Sequence, residues 1–88
     1  MKLIIAILRD SDNEPVSQGL ILAGFRVTEI SSTGGFLRRG STTLMIGMED
    51  DKVGQAVQVI RKTVGPATET GGKRATLFVL NVENFDQV

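Results

Sequence analysis

LIIAIL, residues 3–8, is apolar at every position, and how this run sits in so small a chain decides the fold. It is too short for a helix with caps of its own and reads as a buried strand. The surrounding MKLIIAILRD has one Lys before the run, and Arg9 and Asp10 end it. A signal peptide carries a longer apolar region and a small-residue cleavage site, and a membrane span needs about 20 apolar residues. Two further stretches have the same character. TTLMIGM at 42–48 reads as the third strand, and ATLFVLNV at 75–82 as the fourth. The second strand, Phe25–Ser32, alternates instead, with Phe25 and Val27 on one side and Arg26, Thr28 and Ile30 on the other.

Two helices separate these strands. After a polar loop over Arg9 to Asn13, Ser11 or Asp12 is the expected cap, with Glu14 and Pro15 in the first turn. Val16, Leu20, Ile21 and Ala23 form the apolar stripe, and Gly24 supplies the left-handed stop. The second helix starts at Glu49-Asp50-Asp51, whose charges suit a helix N-terminus. Val53, Ala56, Val57 and Ile60 follow at helical spacing, Arg61 and Lys62 suit the C-terminus, and Gly65-Pro66 ends it. The order is β-α-β-β-α-β, a ferredoxin-like α+β arrangement expected as a single domain over 1–88. Right-handed crossovers put both helices on one face of an antiparallel sheet. Strands one, three and four are apolar on both sides, so the second face is expected to be an interface in an oligomer.

Composition narrows the chemistry. Ten basic and ten acidic residues among 88 leave no net charge to attract nucleic acid or acidic lipid. There is no His, Cys, Tyr or Trp, which removes the commonest general base, the commonest metal ligand and the thiol nucleophile. The expectation is a soluble, cytoplasmic protein that is not an enzyme. Glu49-Asp50-Asp51 reads as helix-start charge rather than a magnesium site. Thr70-Gly71-Gly72-Lys73-Arg74 pairs flexible glycines with two cations, but it lacks the Walker spacing. A solvated loop and a phosphate site are both open there.

The segment SSTGGFLRRGSTT at 31–43 is more informative, because a hairpin needs neither this length nor Phe and Leu at its tip. Gly34-Gly35 frees backbone amides, Phe36 and Leu37 give apolar surface, and Arg38 and Arg39 give charge. With Arg26 and Thr28 on the strand leading in, these suit a flat, polar, anionic molecule. Packing of Phe36 and Leu37 into the core or against a neighbouring subunit is the other reading.

Phe25-Arg26-Val27-Thr28, Thr33-Gly34-Gly35-Phe36-Leu37-Arg38, Gly40 and Thr42-Thr43 together resemble the PII-like cyclic di-AMP receptor family. MKLIIAI and FVLNVENFDQV resemble its first strand and its last strand with tail. The resemblance implies a homotrimer with a nucleotide pocket in each subunit cleft. By it, Arg26 and Thr28 hold adenine, Gly35, Phe36 and Leu37 give backbone bonds and packing, and Ser41, Gly47, Phe78 and Gln87 complete the site. Ser41 replaces the family's usual Asn, Val88 replaces a usual Phe, and the Gly65–Arg74 loop is shorter than usual.

The ligand so implied is cyclic di-AMP, with no other cofactor. An ATP or ADP sensor is the first alternative, in which Lys73 and Arg74, after the Gly71-Gly72 loop, meet phosphate as in ordinary PII proteins; Arg38, from the 31–43 segment, is a further candidate phosphate contact. The second is a regulatory protein that retains no nucleotide and docks a protein partner through its loops. Any downstream protein partner is unidentified by the sequence.

Overall fold

The computed structural model describes residues 1–30, 40–65, 74–84, 86 and 88. Its elements follow the expected order: β1 (Lys2–Arg9), α1 (Asp10–Leu22), β2 (Arg26–Ile30), β3 (Ser41–Met48), a 3-10 turn (Asp50–Lys52), α2 (Val53–Thr63) and β4 (Ala75–Asn81). The sheet order is β2-β3-β1-β4, with every neighbouring pair antiparallel. Strands β1 and β3 are therefore central, while β2 and β4 are edges. The last expected strand residue, Val82, adds one more bond by donating its N–H to the Met1 carbonyl at 3.0 Å.

Side-chain alternation separates two faces. Ile4, Ala6 and Leu8 of β1, with Leu44, Ile46 and Met48 of β3, point into the helix layer and are buried. Val16 and Leu20 of α1, with Ala56 and Ile60 of α2, meet them from above. Each Leu, Ile, Val or Met among them contributes about 1.5–3 kcal/mol on leaving water. Ile21, expected in the α1 stripe, is 53% exposed. It lies one residue beyond Leu20, at the edge of the buried stripe.

The start of α1 differs from expectation. No polar loop separates it from β1: the helix begins at Asp10 directly after Arg9, with no side-chain cap. The caps come from residues distant in sequence. The Asp10 amide donates to the Gly40 carbonyl at 2.8 Å, and the Thr42 hydroxyl donates to the Asp10 carboxylate. Asp12 is not a cap but a nearly buried acid. It accepts from Arg9 Nε at 2.8 Å and from the Gly65 amide at 3.0 Å, while Arg9 Nη2 donates to the Gly65 carbonyl at 2.8 Å. Pro15 consequently lies inside the helix rather than in its first turn.

The end of α1 is as expected. Gly24 takes a φ of 92°, its amide donates to the Ile21 carbonyl at 3.0 Å, and the Phe25 amide donates to the Leu20 carbonyl at 2.9 Å. This is the paired-bond stop that a left-handed glycine allows. At the second helix, Glu49 precedes the 3-10 turn without a side-chain cap bond. Asp50 instead meets the Met1 ammonium at 3.1 Å, and that hydrogen bond, aided by charge, holds its carboxyl below the ordinary carboxylate value. Among the described residues no helix is long and apolar enough to cross a membrane.

Asp12→Ala removes the acceptor of both Arg9 and the Gly65 amide. It is expected to lower unfolding free energy by about 1–3 kcal/mol, the cost of stranding buried polar groups. A fall in the urea midpoint at unchanged slope measures this, and an unaltered midpoint would show that the clasp contributes nothing.

Candidate functional site

Among the described residues no helix lies over the second face of the sheet. The pairing registers align its side chains in rows that cross all four strands. One row runs Arg26, Gly47, Leu3, Leu80, and the next runs Thr28, Met45, Ile5, Phe78. A third runs Ile30, Thr43, Ile7, Thr76. Each of the first two rows is polar at the β2 edge and apolar toward β4. Phe78 is 50% exposed and Leu80 45% exposed, on the edge strand β4.

A cavity of about 350 Å³ opens on this face at the first two rows. Arg26, Thr28 and Gly47 all line it, so three of the expected ligand residues come together within one chain. Arg26 and Thr28 sit two apart on an exposed edge strand, which turns both side chains to the same side. Gly47 faces Arg26 across the β2–β3 ladder. A Cβ built there would come within 2.8 Å of the Met1 Cε methyl, so the missing side chain is what leaves room at the cavity floor. Arg26 forms no ion pair among the described residues, which leaves its guanidinium available to a ligand.

The remaining lining was not evident from the sequence: Met1, Leu3, Met45 and Val82. Leu3 and Met45 read as generic strand residues. Met1 and Val82 meet only because β1 and β4 pair, and that pairing is set by tertiary structure. A second cavity, of about 410 Å³, adjoins at the strand ends and shares Arg26 and Gly47 with the first, with Glu49, Lys52 and Gln55 on its far side.

Other expected residues lie elsewhere. Ser41 pairs with Arg9 at the opposite end of β3 from Gly47 and does not line the cavity. Phe78 shares the open face with Arg26 but stands on the other edge strand. Three strand spacings, about 14 Å, separate the two strands. Arg74 is exposed just before β4, at the far end of that strand from Val82, and it borders a groove on the helix side with Arg61. Gly35, Phe36, Leu37, Arg38, Gly71, Gly72, Lys73 and Gln87 lie outside the described residues.

The two threonines of the Thr42-Thr43 pair diverge. Thr42 turns to the helix layer and bonds Asp10, whereas the Thr43 hydroxyl is buried on the open-face side with no hydrogen-bond partner among the described residues. Among the described residues no group of three or more His, Cys, Asp or Glu side chains is placed to hold a metal ion.

A ferredoxin-like domain with an exposed Arg–Thr pair over a glycine-floored cavity is the class that fold and site define. The sequence pattern described as "Cyclic-di-AMP receptor" matches residues 1–70, from β1 past the end of α2. The chain belongs to the cyclic-di-AMP receptor family, a family of nucleotide receptors rather than enzymes. Arg26, Thr28, Ser41 and Gly47 fall within the matched span, and Phe78 and Gln87 fall beyond it.

Among solved structures, the chain is similar to a functionally unknown protein from Pediococcus pentosaceus at 35% identity and a TM-score of 0.77. That alignment covers 99% of this chain and 96% of the other. The likeness therefore extends through β4 and the tail.

Gly47→Ala meets only the flexible end of Met1 among the described residues. It is expected to fold normally, with stability changed by no more than about 1 kcal/mol. Chemical denaturation checks this, and a large loss would show that Gly47 serves the backbone rather than the space above it.

Proposed function

We propose that the protein is a cyclic di-AMP receptor that acts as a homotrimer, taking one nucleotide in each cleft between neighbouring subunits. The observation that carries this reading is the position of Arg26 and Phe78 on opposite edges of one open face. About 14 Å is too far for one adenine to touch both strands. The reading takes Arg26 from one chain and Phe78 from another, so that both close on the same base. The apolar half of each row, Leu3 with Leu80 and Ile5 with Phe78, gives the subunits a reason to associate.

In this reading Arg26 and Thr28 donate hydrogen bonds to the base, and Gly47 keeps the floor clear for it. Leu3, Met45 and the partner's Phe78 supply flat apolar contact. Phe36, Leu37 and the Gly35 backbone close the site and Gln87 adds a polar contact from the tail, while Ser41, at the far end of β3 from Gly47, is a shorter donor than the usual Asn for a part of the nucleotide away from the Arg26 cavity. The nucleotide's phosphates meet Arg38. A receptor of this kind works in the cytoplasm, where signalling nucleotides are made, and passes its signal to a protein partner.

Isothermal titration with cyclic di-AMP, cyclic di-GMP, ATP and AMP tests the ligand. Micromolar or tighter binding of cyclic di-AMP is expected, with weaker heat from the others. Arg26→Ala is expected to weaken it by about 10- to 100-fold, the worth of a charge-assisted hydrogen bond of about 1.5–3 kcal/mol. Preferred binding of ATP, or no heat from any nucleotide, contradicts the reading.

Light scattering tests the assembly independently. The wild-type chain is expected at three times the monomer mass, and Leu80→Glu, which buries a charge on the shared face, at the monomer mass. A monomeric wild-type chain contradicts it.

A further inference from the structure

The helix layer leaves part of the sheet bare on its own side. Along β4, Leu77 pairs with Ala6 and Val79 pairs with Ile4, so both point toward the helices. Yet Val79 remains 47% exposed, and Leu77 is only partly covered. Between β4 and the C-terminal half of α2 runs an open groove of about 310 Å³. Its walls are apolar, from Val57, Ile60 and Val64 on one side and Leu77 on the other. Among the described residues that line it, the charged side chains are two arginines, Arg61 on the helix and Arg74 just before the strand, and none is acidic.

Arg61 by itself is explained by the α2 dipole, since a cation suits the last turn of a helix. Arg74 has no such explanation, because it precedes a strand. Both are exposed, and neither is ion-paired among the described residues. Two guanidiniums beside an apolar channel complement a segment that carries carboxylates next to apolar side chains, because Arg takes carboxylate in a paired, planar geometry.

We propose that the groove between α2 and β4 docks an acidic, apolar peptide segment of a protein partner. An apolar side chain of that segment fills the space over Ile60 and Leu77, and its Asp or Glu residues meet Arg61 and Arg74. The groove is at the lower limit of small-molecule pocket size, about 300–1,000 Å³, and it is open along its length. It suits a few side chains laid along a surface better than an enclosed metabolite. The surface lies on the opposite side of the sheet from the Arg26 cavity, so the proposal does not rest on the nucleotide reading.

Selection of short random peptides on the intact protein tests this. Enriched sequences are expected to pair Asp or Glu with Leu, Ile, Val or Phe, and amide NMR shifts on binding are expected to cluster over residues 57–64 and 74–79. The double variant Arg61→Glu, Arg74→Glu changes two exposed positions, and circular dichroism checks that it stays folded. It is expected to weaken these peptides by tenfold or more, about 1.4 kcal/mol, and to favour Lys- or Arg-bearing peptides instead.

Failure to enrich any peptide, enrichment without acids, shifts confined to the open sheet face, or affinity unchanged in the variant would each overturn the proposal. So would inorganic phosphate or citrate competing as strongly as the peptides, because that result assigns the groove to a small anion.

Discussion

Two helices cover one face of a four-stranded sheet, and in this chain the uncovered face is also apolar. Leu3, Ile5 and Ile7 of β1 lie there beside Met45 of β3, and Phe78 and Leu80 of β4 extend the surface to the edge. Leaving such an area in water forfeits about 25 cal/mol for each Å² that could be buried. That cost is the physical basis for the proposed assembly, and it also positions the candidate site. In the first two rows of the face the polar residues, Arg26 and Thr28, stand at the β2 edge, where a second sheet would leave a cleft rather than a seal. One constraint thus ties the association of subunits to the place where a nucleotide would enter.

A second feature joins the candidate site to the rest of the molecule. The junction of β1 and α1 receives contacts from both sides: Gly40 and Thr42 bind Asp10, while Gly65 is held between Arg9 and Asp12. Residues 31–39 end at Gly40, and residues 66–73 begin after Gly65. The junction thus ties Gly40 and Thr42 at the start of β3 and Gly65 after α2 to the first residues of α1. The same bonds explain why α1 starts at Asp10 without a cap of its own.

Much of this was legible in the sequence, because periodicity reports which side of an element is dry. LIIAIL, TTLMIGM, ATLFVLNV and the alternating Phe25–Ser32 gave the strands, and Val16 with Leu20 and Ala56 with Ile60 gave the buried stripes. Gly24 gave the stop of α1, since few other residues take that backbone angle without strain. Grouping Arg26 and Thr28 with Gly47 drew on family resemblance as well as strand parity, and the ladder register brings the three to one cavity.

What stayed hidden depended on pairings between distant residues. The cap of α1 is supplied from residues 40 and 42, so a local search for Ser or Asp caps led to Ser11 and Asp12 instead. Met1 and Val82 line the cavity only through the β1–β4 ladder. The separation of Arg26 from Phe78 follows from strand order, which shows that residues counted as one site stand on opposite edges of a single chain. The α2–β4 groove was equally illegible, since it arises from how far a helix reaches across its sheet.

Native mass spectrometry of the protein with cyclic di-AMP tests the central claim most directly, because it reads assembly and ligand count in one spectrum. The account predicts a trimer carrying up to three nucleotides, with no nucleotide on any residual monomer. A monomer that binds cyclic di-AMP, or a trimer that takes none, would contradict it.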